Sequence, residues 1–192
     1  MTAGRRPGPR RRLTDADLVA LVVLLRGPAH GHGIWSRLAD CDVEDWAAVS
    51  RAQVYYSLGK LAEQGLIRPA RDTGSETRRE RRSWRITPEG RRALTVALSS
   101  SHWAGQRVVP PFMTWIALSE LARPAARRKI FDQRQGFLEA ELKRERKTLA
   151  DLRRLPPDAE GAQVAILMVV HVIRQMKLEL KLLDGLRGLF AD

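Results

Sequence analysis

Residues 50–69 read SRAQVYYSLGKLAEQGLIRP, and residues 83–90 read SWRITPEG. In the first stretch Val54, Leu58 and Leu61 recur at helical spacing behind Ser50, whose hydroxyl suits a helix N-cap. A helix is therefore expected from Ser50 to about Gln64. Gly65 stands where a helix C-terminus favours a left-handed residue. The period then changes. Leu66-Ile67 opens a short extended run, and Pro69, lacking an N–H, confines that strand to an edge or a strand end. Residues 72–79, with Gly74-Ser75 inside them, are polar and turn-forming. Ser83–Ile86 returns as a second strand with Trp84 and Ile86 on one face. Thr87-Pro88 then offers an N-cap followed by proline at the first helical position.

Upstream, Thr14 or Asp15 caps an expected first helix whose apolar face is Leu18, Leu21, Val22 and Leu25, and Gly27-Pro28 stops it. A second helix is expected at about Gly31–Asp40, with Ile34, Trp35 and Leu38 at helical spacing. Helix, helix, helix, strand, loop, strand is the order of a winged helix. The expected fold class is mainly α with a small β-hairpin wing. Residues 1–12, MTAGRRPGPRRR, have almost no apolar content and are expected as a disordered basic arm. The winged-helix domain spans 13–100, and 101–192 form a helical dimerisation domain.

Helical patterns follow at about 88–100, closing the first domain, and at 111–121, 124–154 and 159–189 in the second, bounded by Pro110-Pro111, Pro124 and Pro156-Pro157. In the third of these Phe131, Leu138, Leu142, Leu149 and Leu152 form a stripe. In the last, Ile166, Val170, Ile173, Leu180 and Leu183 form another. Both have the spacing of coiled-coil seams. One hairpin cannot bury two such stripes together with Val169, Val172 and Met176, so a homodimer is expected.

Charge points to the partner. The 192 residues carry 34 Lys+Arg against 22 Asp+Glu, a formal net +12, and such a surplus favours a polyanion. The surplus is spread along the chain, so local clusters matter more. One is Arg5, Arg6, Arg10, Arg11 and Arg12; the other is Arg78, Arg79, Arg81, Arg82 and Arg85. The longest apolar run, Ala162–Ile173, contains Gln163 and His171 and falls well short of the roughly 20 residues of a membrane span. A single cysteine, Cys41, excludes an internal disulfide framework and fits a reducing cytoplasm. It is expected as a buried packing residue. A cytoplasmic, nucleoid-associated location is the matching expectation.

The third helix is the candidate reader of DNA. Its outward face would show Arg51, Gln53, Tyr56 and Lys60, which can donate hydrogen bonds to bases or phosphates. An amphipathic helix with a solvated face looks the same in isolation. What favours DNA is the hairpin that follows at once, with its arginines Arg78–Arg85 able to neutralise phosphates along a neighbouring groove.

Four motifs together resemble the PadR family of transcriptional regulators. They are Gly31-His32-Gly33-Ile34, Ser50–Leu58, Lys60–Ile67 and Arg82–Gly90. The resemblance covers about residues 18–95 in detail and the later helices in general layout. It departs from the family at Trp35, Tyr56 and Trp84. It implies a homodimer binding palindromic operator DNA, usually as a repressor, with release by a small aromatic or planar effector in many members. By position it implies DNA contacts from Ser50, Gln53 and Tyr55, a phosphate contact from Lys60, and wing arginines astride the adjacent groove. Trp103, Trp115 and Phe112 are candidates to line an effector site, with hydrophobic packing as the other reading.

No catalytic, metal or cofactor site is expected. His30, His32, His102 and His171 are scattered, and no HExxH, CxxC or GxSxG pattern occurs. Two other classes remain open beside a sequence-specific regulator. A low-specificity nucleoid-associated or architectural protein would use the charge without base contacts. An adaptor that used the winged helix for protein contacts would have no need of a basic wing.

Overall fold

The computed structural model describes residues 12–70, 83–156 and 158–190. They form two compact units, divided between Arg107 and Val108. The N-terminal unit extends past the boundary expected at residue 100. The cause is a 3-10 turn, Ser101–Gly105, tied back to the preceding helix by the Trp103 indole N–H donating to Ala97 O at 2.8 Å.

The N-terminal unit begins with α1, Asp15–Leu25. Thr14 and Asp17 form a reciprocal capping box: Thr14 N–H donates to Asp17 Oδ2 at 2.7 Å, and Asp17 N–H to Thr14 Oγ1 at 3.3 Å. The expected apolar face was in part wrong. Val22 and Leu25 are exposed, whereas Val19, Ala20, Val23 and Leu24 are buried. α1 is apolar on nearly every side, so its period could not choose a face. Packing chose it, because α1 lies against α2 (Gly31–Ala39), α4 (Arg51–Glu63), α5 (Pro88–Leu98) and β3 (Ser83–Ile86).

α2 buries Ile34 and Leu38, with Trp35 half-buried beside them. A short helix that the sequence pattern did not suggest, α3 (Val43–Trp46), buries Val43. Cys41 precedes it and is exposed, which corrects the expectation of a buried thiol. The backbone turns outward there, with Asp42 at a left-handed φ of 48°. The inward position falls to Val43.

α4 starts on a second capping box. Ser50 N–H donates to Gln53 Oε1 at 2.8 Å, and Gln53 N–H donates to Ser50 Oγ at 3.4 Å. Its inner face is Val54, Ser57, Leu58 and Leu61. It ends as the sequence implied. Gly65 has φ +70°, Leu66 N–H reaches Leu61 O, and Gly65 N–H reaches Ala62 O, so two orphan carbonyls of the last turn are satisfied.

The sheet is antiparallel with order β1-β3-β2. β2 (Ile67–Pro69) pairs with β3 in the register Ile67↔Ile86, Arg68↔Arg85 and Pro69↔Trp84. Pro69 lies at the end of this edge strand, where no ladder donor is needed. The third strand, β1 (Ala29–His30), pairs Ala29↔Trp84 and was not expected, since two residues carry no period.

Thr87 joins the sheet to α5. Its hydroxyl donates toward Gly65 O and Leu66 O and accepts from Gly90 N–H at 3.0 Å. Gly90 is buried so closely that an added Cβ would lie 2.1 Å from Leu66 O. The C-terminus of α4 therefore rests directly on the first turn of α5.

The C-terminal unit contains α6 (Pro111–Leu118), α7 (Pro124–Leu152) and α8 (Ala162–Leu189). α7 and α8 run antiparallel, tied by a bidentate Arg134–Glu179 pair at 2.7 and 3.0 Å and by Arg187–Asp132 at 2.8 Å. Phe131, Leu138, Ile173 and Leu183 are buried between them. Ile166, Val170, Leu180, Leu149 and Leu152 are only half-buried. No helix among the described residues is long and apolar enough to cross a membrane.

Candidate nucleic-acid interface

The capping box sets the first turn of α4, and the buried residues Val54, Ser57, Leu58 and Leu61 set its rotation. Ser50, Arg51, Gln53, Tyr55 and Tyr56 are all left exposed. Tyr56 is 75% exposed, against 41% for Tyr55. The difference has a packing cause. The Tyr55 ring lies over the start of α2, where a Cβ added at Gly31 would come 2.8 Å from its Cε1. The Arg51 guanidinium sits 5.6 Å from the Tyr55 ring centroid. Tyr55 thus contacts both the start of α2 and the Arg51 guanidinium. Such cation–π contacts contribute about 0.5–1 kcal/mol at exposed sites.

Gln53 is less free than its exposure suggests. Its Oε1 is occupied by the Ser50 N–H, so its amide NH₂ is what can point outward. A bidentate contact with adenine needs both the oxygen and the nitrogen. Reading adenine in that way requires Oε1 to share its second lone pair with the base or to leave the cap.

Lys60 is not turned outward. Its Nζ lies 2.5 Å from Asp17 Oδ2, and its side chain is 23% exposed. The wing residues Arg78, Arg79, Arg81 and Arg82 lie outside the described residues. At the base of the wing, the structure brings together a pair that the sequence reading missed. Arg68 and Arg85 are cross-strand partners, both exposed. Like charges placed opposite each other repel, so an anion between them would be favoured. The signal was the strand register, which becomes legible only once β2 and β3 are paired.

The candidate effector residues divide between the two units. Trp103 belongs to the N-terminal unit, where its ring lies 4.5 Å from that of His102. Phe112 and Trp115 come together in the C-terminal unit, stacked at 5.4 Å, and Trp115 meets Phe131 edge-on at 5.5 Å. Arg134 lies 5.0 Å from the Phe112 ring, so a cation borders this aromatic group. Among the described residues, no cluster of three or more His, Cys, Asp or Glu could hold a metal ion.

The N-terminal helices, the small antiparallel sheet and the hairpin base together form a winged-helix fold. Residues 20–96 match the family described as the Transcriptional regulator PadR-like family, and that segment of the chain is PadR-like. No curated protein matches the sequence significantly. Among solved structures, Bacillus subtilis PadR in complex with operator DNA is similar at TM-score 0.71 and 18% identity, covering 91% of this chain and 98% of that one. The same protein in complex with p-coumaric acid is similar at TM-score 0.70 and 15% identity, covering 93% and 99%. The Vibrio cholerae virulence activator AphA is similar at TM-score 0.62 and 19% identity, covering 89% and 99%. At these identities the likeness concerns the fold.

Proposed function

We propose that the chain is a sequence-specific DNA-binding transcriptional regulator, a homodimeric repressor that engages a palindromic operator and is released by a small aromatic or planar effector. The carrying observation is the outer face of α4. Its first two turns, set by the cap, leave Ser50, Arg51, Gln53 and Tyr56 exposed, and the chain that follows α4 carries the exposed Arg68–Arg85 pair. Arg51 suits guanine O6 and N7, and the Gln53 amide donates to a base acceptor. Tyr55 contributes its hydroxyl from the edge of the face, while Arg68, Arg85 and the wing arginines Arg78, Arg79, Arg81 and Arg82 neutralise phosphates.

The test is selection of binding sites from genomic duplexes by the full chain. A shared palindromic motif is the expected result, and uniform recovery of all fragments would leave a low-specificity architectural protein instead. Gln53→Ala should then cost about 1–3 kcal/mol on the selected site and relax base preference there. Equal losses on selected and scrambled duplexes would show that α4 does not read bases.

The effector part of the reading rests on the stacked Phe112 and Trp115, with Arg134 over the Phe112 ring. A planar aromatic acid suits this group, its ring stacking on the aromatics and its carboxylate exchanging with Glu179 as the partner of Arg134. Titration with such acids should quench tryptophan fluorescence and release the selected duplex over the same concentration range. Quenching without release would remove the regulatory link.

A further inference from the structure

Among the described residues of the N-terminal unit, Asp17 is the one fully buried ionisable side chain. Its Oδ2 accepts both the Thr14 N–H at 2.7 Å and the Lys60 ammonium at 2.5 Å, and its Oδ1 is buried without a hydrogen-bond partner. Lys60 comes from α4, 43 positions further along the chain. A carboxylate removed from water is strongly disfavoured unless a counter-charge accompanies it. Lys60 is that counter-charge. Were its ammonium to swing out to a phosphate, Asp17 would be left buried and alone.

We propose that Lys60 is a positioning residue rather than a phosphate ligand, and that the Asp17–Lys60 pair locks the rotation and tilt of α4 on the foot of α1. The inference rests on the reading of α4 as the DNA-reading helix. Base-edge hydrogen bonds demand distances within a few tenths of an ångström and near-linear angles, whereas attraction to phosphates tolerates misalignment. A loosened α4 therefore loses specific binding and keeps nonspecific binding. The same carboxylate oxygen also holds the N-cap of α1, directly after the arginine-rich residues 5–12. The lock thus ties the N-terminus of α1 to the DNA-reading helix.

The test uses three variants of the full chain: Asp17→Asn, Lys60→Met and the double variant. Asn keeps an oxygen for the Thr14 N–H, and the double variant leaves no buried charge unpaired, so it folds even where Lys60→Met alone does not. Binding is measured below the onset of melting, on a duplex selected by the wild-type chain and on a scrambled duplex of equal length, over a range of salt concentrations. The lock requires the ratio of specific to nonspecific affinity to fall on the order of tenfold in the double variant, the worth of a good base contact. The salt slope should stay unchanged. A slope reduced by about 0.9, with both duplexes weakened alike, would identify Lys60 as a phosphate ligand and overturn the proposal. An unchanged ratio would reduce the pair to a stability element and overturn it equally. A wild-type chain that prefers no duplex sinks the regulator reading instead. The lock of α4 on α1 is then decided by amide hydrogen exchange: faster exchange confined to α4 in the double variant supports it, and α4 protection equal to wild type refutes it.

Discussion

Gly90→Ala is expected to destabilise the N-terminal unit by about 3 kcal/mol or more, at the upper end of what overpacking costs. The added Cβ would lie 2.1 Å from the Leu66 carbonyl oxygen and 2.9 Å from Ile86 Cγ1. The first neighbour is backbone and cannot rotate away. Leu66 O is also the acceptor for Thr87 N–H and the Thr87 hydroxyl, so displacing it disrupts the whole α4–α5 junction. Since a small domain has only about 5–15 kcal/mol of net stability, a large share of it is at stake. Gly59→Ala is the internal control. Gly59 lies in the middle of α4 with nothing within 4 Å of an added Cβ. Alanine there should stabilise by up to about 1 kcal/mol, because glycine is the poorer helix former. Urea unfolding of the two variants should move the midpoints in opposite directions. A Gly90→Ala midpoint within error of wild type would show that α5 can slide without cost.

The second large effect concerns assembly. Even with α7 packed along it, α8 leaves Val164, Leu167, Met168, Leu178, Leu182 and Leu189 exposed. Met168, Leu178, Leu182 and Leu189, spaced by 10, 4 and 7 residues, fall on one side of α8, away from the buried Ile173 and Leu183. Such a run of apolar surface fits a second copy of the chain. Leu178→Glu combined with Leu182→Glu should therefore give a monomer by sedimentation, with helix content retained because neither side chain is in the core. Affinity for a full palindrome should fall to that of a half-site, a loss of about 10²–10⁴-fold, because the second half-site is no longer tethered. Deleting residues 160–192 should abolish dimerisation as well. That deletion also strips the cover from Phe131 and Leu138, so aggregation is an expected companion. A double-glutamate variant that stays dimeric with full affinity would place the interface elsewhere.

Local signals in the sequence determined where most elements begin and end. Thr14, Ser50 and Thr87 each supply a side-chain oxygen to an orphan N–H within three residues, and Gly65 supplies the one left-handed conformation that closes α4. These interactions are short-range, so the order of three helices and a hairpin is legible before any packing is known. The outward face of α4 was legible for the same reason, since Val54, Leu58 and Leu61 mark its inner side. Only the tertiary structure decided the directions of residues that had two reasonable options. α1 is apolar all round, and its neighbours chose which of its leucines and valines to cover. Cys41 lost the inward place to Val43 because the chain turns at Asp42. Arg68 faces Arg85 only through the register of β2 on β3. Lys60 lies at a border position of α4, and by spacing alone it suits a phosphate. It turns inward because Asp17, far away in sequence, is buried where a counter-charge is needed. A pattern read along one helix cannot register a charge that another helix brings to it.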